Sequence, residues 1–351
     1  MRIEGVDDAD FKVEGAEFWQ YHYRRDEYIL TSQTVTITGK VGYLDLSECR
    51  ISSLDISGNK ELEVFLCTDN FKIKSLDLSQ HVKLKRVDIS RCPIRELNLQ
   101  NAKDLESFVA LSTRLNKIDI APSDKLTELQ CSNTTLSGVE PSKWKNLENL
   151  TLAGCDLTQL DLSENKKLEM VQLHANELDK LVFASPMLYS ATVFLNKIKG
   201  VDMTHMMQSL PRRYEGAQPQ AAIVVYGMGQ EDEKNECLDT DVKIALDAFW
   251  KVYQVDADFN ESPYSGVPTA NAPTISGEAA IAVYPNPASD LIFISGVSDQ
   301  EPVQLYGLDG QILLQVIPIE GLARLDVRAI PSGAYVVRCG KEAYPVQISH
   351  R

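Results

Sequence analysis

From Val41 onward the apolar positions keep to one nine-place frame, L-x-x-L-x-L-x-x-N, followed by a second, shorter apolar half. The frame opens at Val41, Leu62, Leu84, Leu105, Leu126, Leu147, Leu168 and Leu188, in steps of 20 to 22 residues. Its fourth place is held by Leu44, Phe65, Val87, Phe108, Leu129, Leu150, Val171 and Ala191. Its sixth is held by Leu46, Cys67, Ile89, Ala110, Cys131, Leu152, Leu173 and Val193. Apolar residues at alternate places predict a short strand with one buried face. A unit this small cannot bury its apolar side alone. Regular copies stack into a solenoid whose parallel strands lie about 4.8 Å apart.

The ninth place is polar or small: Cys49, Asn70, Cys92, Thr113, Thr134, Cys155, Asn176 and Asn196. It follows the strand, where the chain turns and main-chain groups need new partners. Asn can serve N–H and C=O groups together, Thr serves them in part, and Cys only weakly. A buried group left unserved costs about 1–3 kcal/mol. The column therefore reads as a side-chain ladder. The second halves, such as Ile73/Leu76/Leu78 and Leu178/Leu181/Phe183, are short and rich in Asp-Leu-Ser, so the back is expected to be extended or turn-like. In the fifth unit Pro141 shuts the back strand.

Residues 1–40 lack the repeat and are expected to cap the first coil. Residues 34–39 alternate as a strand, and Phe11, Val13, Phe18, Trp19, Tyr21 and Tyr23 are expected to close that end. After the coils, residues 206–256 predict an α/β cap: a helix from Thr204 that stops at Pro211, a strand over 222–226, a second helix capped by Asp239 or Thr240, and a closing segment over 252–255. A Pro-, Ser-, Gly- and Asn-rich linker is expected over 257–280. Beyond it, runs at 291–294, 303–306, 311–314, 335–338 and 344–348, parted by Asp309-Gly310, Pro331-Ser332-Gly333 and Gly340, predict a small β-sandwich.

Two resemblances enter here. The frame from Leu168 to Asn176 with Leu178, and that from Leu62 to Asn70 with one residue inserted, resemble the short leucine-rich repeats of internalin-like bacterial surface proteins. The resemblance covers roughly residues 41–205, eight repeats. It implies a mostly β, α/β-class solenoid whose concave sheet binds a protein or cell-surface ligand. The second lies in Tyr284-Pro285-Asn286-Pro287, in Val303-x-Leu305-Tyr306 leading to Gly310, and in Pro331-Ser332-Gly333-x-Tyr335. These resemble the C-terminal sorting domain of cargo for the Bacteroidetes type IX secretion system. That implies export, with residues 281–351 as sorting domain and the secretion machinery as a partner.

Charge sharpens the reading. Lys and Arg number 35 against 50 Asp and Glu, a net charge of −15. Such a balance argues against nucleic acid, which is held largely by Lys and Arg. No run reaches the roughly 18 apolar residues of a membrane span. The first residues, Met1 to Asp8, carry neither the basic segment nor the apolar core of a signal peptide. With the sorting motif, that is read as a mature or shortened start of a secreted or outer-membrane-surface protein.

Candidate chemistry is sparse. The five histidines form no metal-ligand pair and the seven cysteines no C-x-x-C, so no cofactor or metal is expected. Cysteines of the ladder column stand two coils apart (Cys49 and Cys92) or farther (Cys92 and Cys155), too far for a disulfide, and read as packed thiols. Gly227-Met228-Gly229 reads as a loop, and Glu231-Asp232-Glu233 as a solvated turn. The expectation is a binding protein, not an enzyme, with the third and fifth frame places facing outward. Val64, Leu66, Val109 and Leu111 form one expected contact cluster, and Met170, Phe194 and Leu195 another. Arg86, Asp88, Glu128, Gln130, Asn149 and Gln172 complete the face, with Arg91 at its rim. Rival readings are a secreted hydrolase using the repeat to hold substrate, and a structural surface-layer component.

Overall fold

The computed structural model describes residues 1–6, 11–22, 25–136, 139–268, 281–284, 286, 288, 291–318 and 322–349. It divides into two compact units, Met1–Ala272 and Pro273–Arg351.

In the first unit the repeat folds as its spacing predicts. Strands β6 (Val41–Asp45), β7 (Val64–Leu66), β8 (Arg86–Asp88), β9 (Ser107–Leu111), β10 (Glu128–Ser132), β11 (Asn149–Thr151), β12 (Met170–Gln172) and β13 (Ser190–Thr192) lie side by side, each parallel to the next. Every fourth- and sixth-place residue is at most 5% exposed, so the columns form a continuous core. Between β6 and β13, the described back segments hold a single helical piece, the 3-10 turn Pro141–Lys143. It starts at the proline expected to interrupt that coil.

The turn after each strand has a feature absent from the apolar pattern. The eighth-place residues Glu48, Asp69, Arg91, Ser112, Asn133, Gly154, Ala175 and Leu195 all adopt left-handed backbone, with φ between 51° and 62°. Such a turn aims the N–H of one coil at the next: Asp69 N donates to Ser90 O at 3.0 Å and Gly154 N to His174 O at 3.0 Å. Only one of the eight is glycine. The others each carry a strain of about 1–2 kcal/mol, offset by the corner bonds they enable.

At the ninth place, Asn176 is 5% exposed. Its Oδ1 accepts from Cys155 N and Leu157 N at 3.0 Å, and its Nδ2 donates to Leu152 O at 2.7 Å and Leu173 O at 2.9 Å. Asn70 and Asn196 repeat the arrangement, and Asn235 continues it into the C-terminal cap, accepting from Ile198 N and donating to Val193 O and Val225 O. A second ladder runs down the opposite corner. There His81, Ser123, Trp144, Asn165 and Ser185 each reach a main-chain group of the preceding coil, as Trp144 Nε1 does to Ala121 O at 3.1 Å, and Asn59 accepts Val41 N at the start of its own coil. Its members differ too much in type to stand out as a column, yet each ends a coil at the same step.

All seven cysteines are free. Two thiols of different columns meet: Cys92 Sγ donates to Cys67 O at 2.8 Å, and the two thiols interact across adjacent coils. Burial pushes the Cys155 thiol up to about 11.

The N-terminal segment caps the coil in a way the sequence did not announce. Its strands are β1 (Arg2–Gly5), β2 (Phe11–Glu14), β3 (Ala16–His22), β4 (Arg25–Leu30) and β5 (Thr36–Gly39). The strand laid on the first coil is β1, antiparallel to β6, with β4 and then β3 added beyond it. The expected strand over 34–39 pairs instead with β2. Phe11 and Val13 pack on the core, but Phe18, Trp19 and Tyr21 are 58%, 62% and 65% exposed, so they do not close that end. Tyr23 lies outside the described residues.

The C-terminal cap contains α1 (Val201–Gln208), β14 (Ala222–Gly227), α2 (Asp239–Asp247), β15 (Lys251–Val255) and β16 (Glu261–Pro263). β14 and β15 extend the parallel sheet, and antiparallel β16 ends it. The first part of the expected linker is thus a strand, and Val267 still bonds to this unit through Asp239 N at 2.9 Å. Residues 269–280 lie outside the described residues. The N-cap of α2 is Leu238, one residue before the expected start, because the Asp241 carboxylate accepts Leu238 N at 3.0 Å.

The second unit has two sheets. β17 (Ala282–Tyr284), β18 (Leu291–Ser295) and β21 (Leu322–Asp326) form one. β20 (Ile312–Val316), β19 (Val303–Tyr306), β22 (Gly333–Cys339) and β23 (Glu342–Ile348) form the other, in that order. Ile292, Ile294, Leu305, Leu325, Val337 and Ile348 from both sheets enclose one core, so the unit is a small β-sandwich.

Candidate binding face and sorting domain

Strand pairing fixes which outward residues are neighbours. The third-place row runs Tyr43, Val64, Arg86, Ser107, Glu128, Asn149, Met170, Ser190, then Ala222 and Lys251 of the cap. The fifth-place row runs Asp45, Leu66, Asp88, Val109, Gln130, Thr151, Gln172, Thr192, Val224 and Tyr253. Most of these side chains are half-buried, whereas Arg86 is exposed.

The rows alter both expected clusters. Arg86 and Asp88 stand between Val64/Leu66 and Val109/Leu111, so the first cluster is two apolar patches parted by a charged strand. Val109 is itself 7% exposed. In the second, Phe194 is 2% exposed and packs with Val224 and Val255 of the cap, while Met170 sits in a different row. Phe194 stacks on His174 at 4.8 Å between ring centroids and meets Phe259 edge-on at 6.2 Å. It is a structural anchor of the cap, not a free contact residue. His174 enters the face instead; burial pushes its imidazole below the usual range.

Local bonds organise the polar members. Glu128 accepts from Gln130 Nε2 at 2.6 Å and from Ser107 Oγ. Asp88 accepts Ser90 N at 3.0 Å, a turn-forming bond that also recurs at Asp45 with Ser47 N. Arg91 directs its guanidinium fork to Asp69 rather than to the rim beside Asp88. That pair borders a cleft of about 620 Å³ lined by Glu48, Arg50, Phe71 and Lys72. At the N-terminal end Arg25 lies 3.7 Å over the Tyr43 ring, and Arg2 bridges Glu27 and Asp45. Among the described residues no group of His, Cys, Asp or Glu is placed to hold a metal ion, and no helix is long and apolar enough to cross a membrane.

In the sandwich, the residues singled out by resemblance work as folding devices. Asn286 Nδ2 donates to Pro345 O at 3.0 Å and its Oδ1 accepts Gln347 N at 2.7 Å, tying the entry segment to β23. Gly310 turns the β19–β20 hairpin at φ 81°, where a side chain would be strained. Tyr335 donates its hydroxyl to Pro331 O at 2.7 Å, across the turn that leads through Gly333 into β22. Tyr284 is in β17, and Pro285 and Pro287 lie outside the described residues.

Residues 282–349 match the family model described as a secretion system C-terminal sorting domain. The sandwich is a sorting domain. A tail of this class makes the chain a secreted or cell-surface protein and implies contact with the type IX machinery. No curated protein matches the chain. Among solved structures, it is similar to the functional domain of InlJ from Listeria monocytogenes, described as including a cysteine ladder. That similarity has 14% identity and a TM-score of 0.37, covering 88% of this chain and 71% of the other.

Proposed function

We propose that the chain is a non-enzymatic binding protein, exported through its sorting domain, whose solenoid presents the strand face to a protein or another cell-surface component, as an adhesin does. The observation that supports this is the outward face of β6 to β13, two registered rows of mostly part-exposed side chains with apolar patches set among charged ones. An interface core needs such mixed surface. The patch around Val64 and Leu66, rimmed by Arg86 and Asp88, is the centre of the proposed contact.

The test pairs Arg86→Glu with Leu66→Asp and measures binding of the purified protein to extracts of cell surfaces. Both side chains are at least part-exposed, so the fold is retained while charge and apolar area at the patch are reversed. Binding is expected to fall at least tenfold with little change in thermal midpoint. A folded double variant that binds as before rejects this face.

A further inference from the structure

Among the described motif residues, Asn286, Gly310 and Tyr335 hold the domain's own turns and edges, which turns the search for a recognition surface to the rest of the sandwich. Among the described residues the sandwich has four edge strands, β17, β21, β20 and β23. Three are protected. β23 carries Glu342 and Pro345 and is bonded over its second half by the entry segment, through Asn286 and through Ala288 N to Gln347 O at 2.8 Å. β21 carries Arg324 and Asp326, and β17 is three residues long. Charges, prolines, shortness and cover are the usual means of keeping an edge from recruiting strands.

Among the described residues β20 has almost none of them, Pro318 just beyond its end excepted. Residues 311–319 contain no charged side chain. Ile312 is 51% and Leu313 38% exposed, and Leu308 and Ile317, flanking the strand, are 77% and 57% exposed. One bulge opposite Leu305/Tyr306 is its single irregularity. Its inner side bonds to β19, which leaves the main-chain groups of the outer side facing away from the sheet. An aliphatic edge of this kind is a template for strand addition, in which main-chain bonds supply affinity and side chains supply selectivity.

We propose that β20 is the docking edge of the sorting domain: a component of the secretion machinery lays an extended, uncharged, aliphatic segment alongside it, gripped by Leu308, Ile312 and Ile317. This rests on the sorting-domain reading. A second copy of the chain is the poorer occupant, because a net charge of −15 opposes self-association.

The experiment measures the surface-displayed fraction of the full chain in a cell with a working type IX system. Deletion of residues 281–351 tests the underlying reading, and normal display of that deletion sinks it. Given retention of the deletion, Ile312→Lys with Ile317→Lys is expected to lower display at least tenfold. Ile312→Val with Ile317→Val, and Lys341→Glu away from the edge, are expected to display normally. Should the lysine pair make the purified protein protease-sensitive, Leu308→Lys on the exposed turn decides, with at least a threefold loss expected. Normal display with lysines at the edge overturns the inference, as does a purified dimer through β20 that lysines dissolve without affecting display.

Discussion

Replacing Asn176 by Ala removes one amide that serves five main-chain groups: the N–H of Cys155 and Leu157, and the C=O of Leu152, Leu173 and, at 3.4 Å, His174. Each lost bond costs about 1 kcal/mol net, and more where the abandoned group stays dry. The site is 5% exposed, so water re-enters only in part. The expected loss is about 3–5 kcal/mol, several times that of a surface change. Thr113 is the natural comparison, because it fills the same column with bonds of 3.4 and 3.5 Å. Thr113→Ala should cost about 1 kcal/mol.

Urea unfolding followed by tryptophan emission reads this cleanly. All three tryptophans lie in the first unit, and Trp144 and Trp250 are 2% and 1% exposed. With a slope of about 3 kcal/mol per molar urea, Asn176→Ala should lower the midpoint by about 1 M or more. Asn176→Asp should do no better, since it keeps the acceptor but turns a carboxylate towards the carbonyls of Leu152 and Leu173. If Asn176→Ala costs no more than Thr113→Ala, the ladder is not a main source of stability and the argument from corner bonds is wrong.

Other expectations follow from the same geometry. Gly154→Ala places a Cβ 2.9 Å from Asn133 Oδ1 at φ 62°, and should cost about 1–2 kcal/mol. Ala175→Gly, at the same frame place, should be neutral or stabilise by up to about 1 kcal/mol; equal effects of like sign would discount the left-handed column. Burial depresses the His205 imidazole to about 4. The unfolded chain therefore binds the extra proton first, and stability present above pH about 6.5 is lost as pH falls towards 4. His205→Gln should flatten that slope in urea midpoints; an unchanged slope assigns the loss to other groups. Deleting residues 281–351 should retain the protein in the periplasm, scored by surface labelling of whole cells.

Much of the solenoid is a local property of the chain. An apolar residue at every fourth and sixth place, renewed each 20 to 22 residues, can be buried only if successive coils stack, so the parallel spine and the Asn ladder are already present in the order of residues. The sorting motif is legible for a related reason: Gly310 and the Pro331–Tyr335 turn solve local backbone problems with particular residue types. Other features depend on contacts between distant segments. β1 joins the sheet through pairing with residues some forty positions away, and its sequence, Arg-Ile-Glu-Gly, has one buried side chain, Ile3, to betray it. β21 is not legible in the sequence because its alternation is carried by Ala323 and Leu325 alone. Phe194 reads as outward from its frame place, and it is; Val224, Val255 and Phe259 then cover it. Periodicity reports which side of a strand a residue occupies. Which other segment comes to lie against that side is decided only when the whole chain has closed.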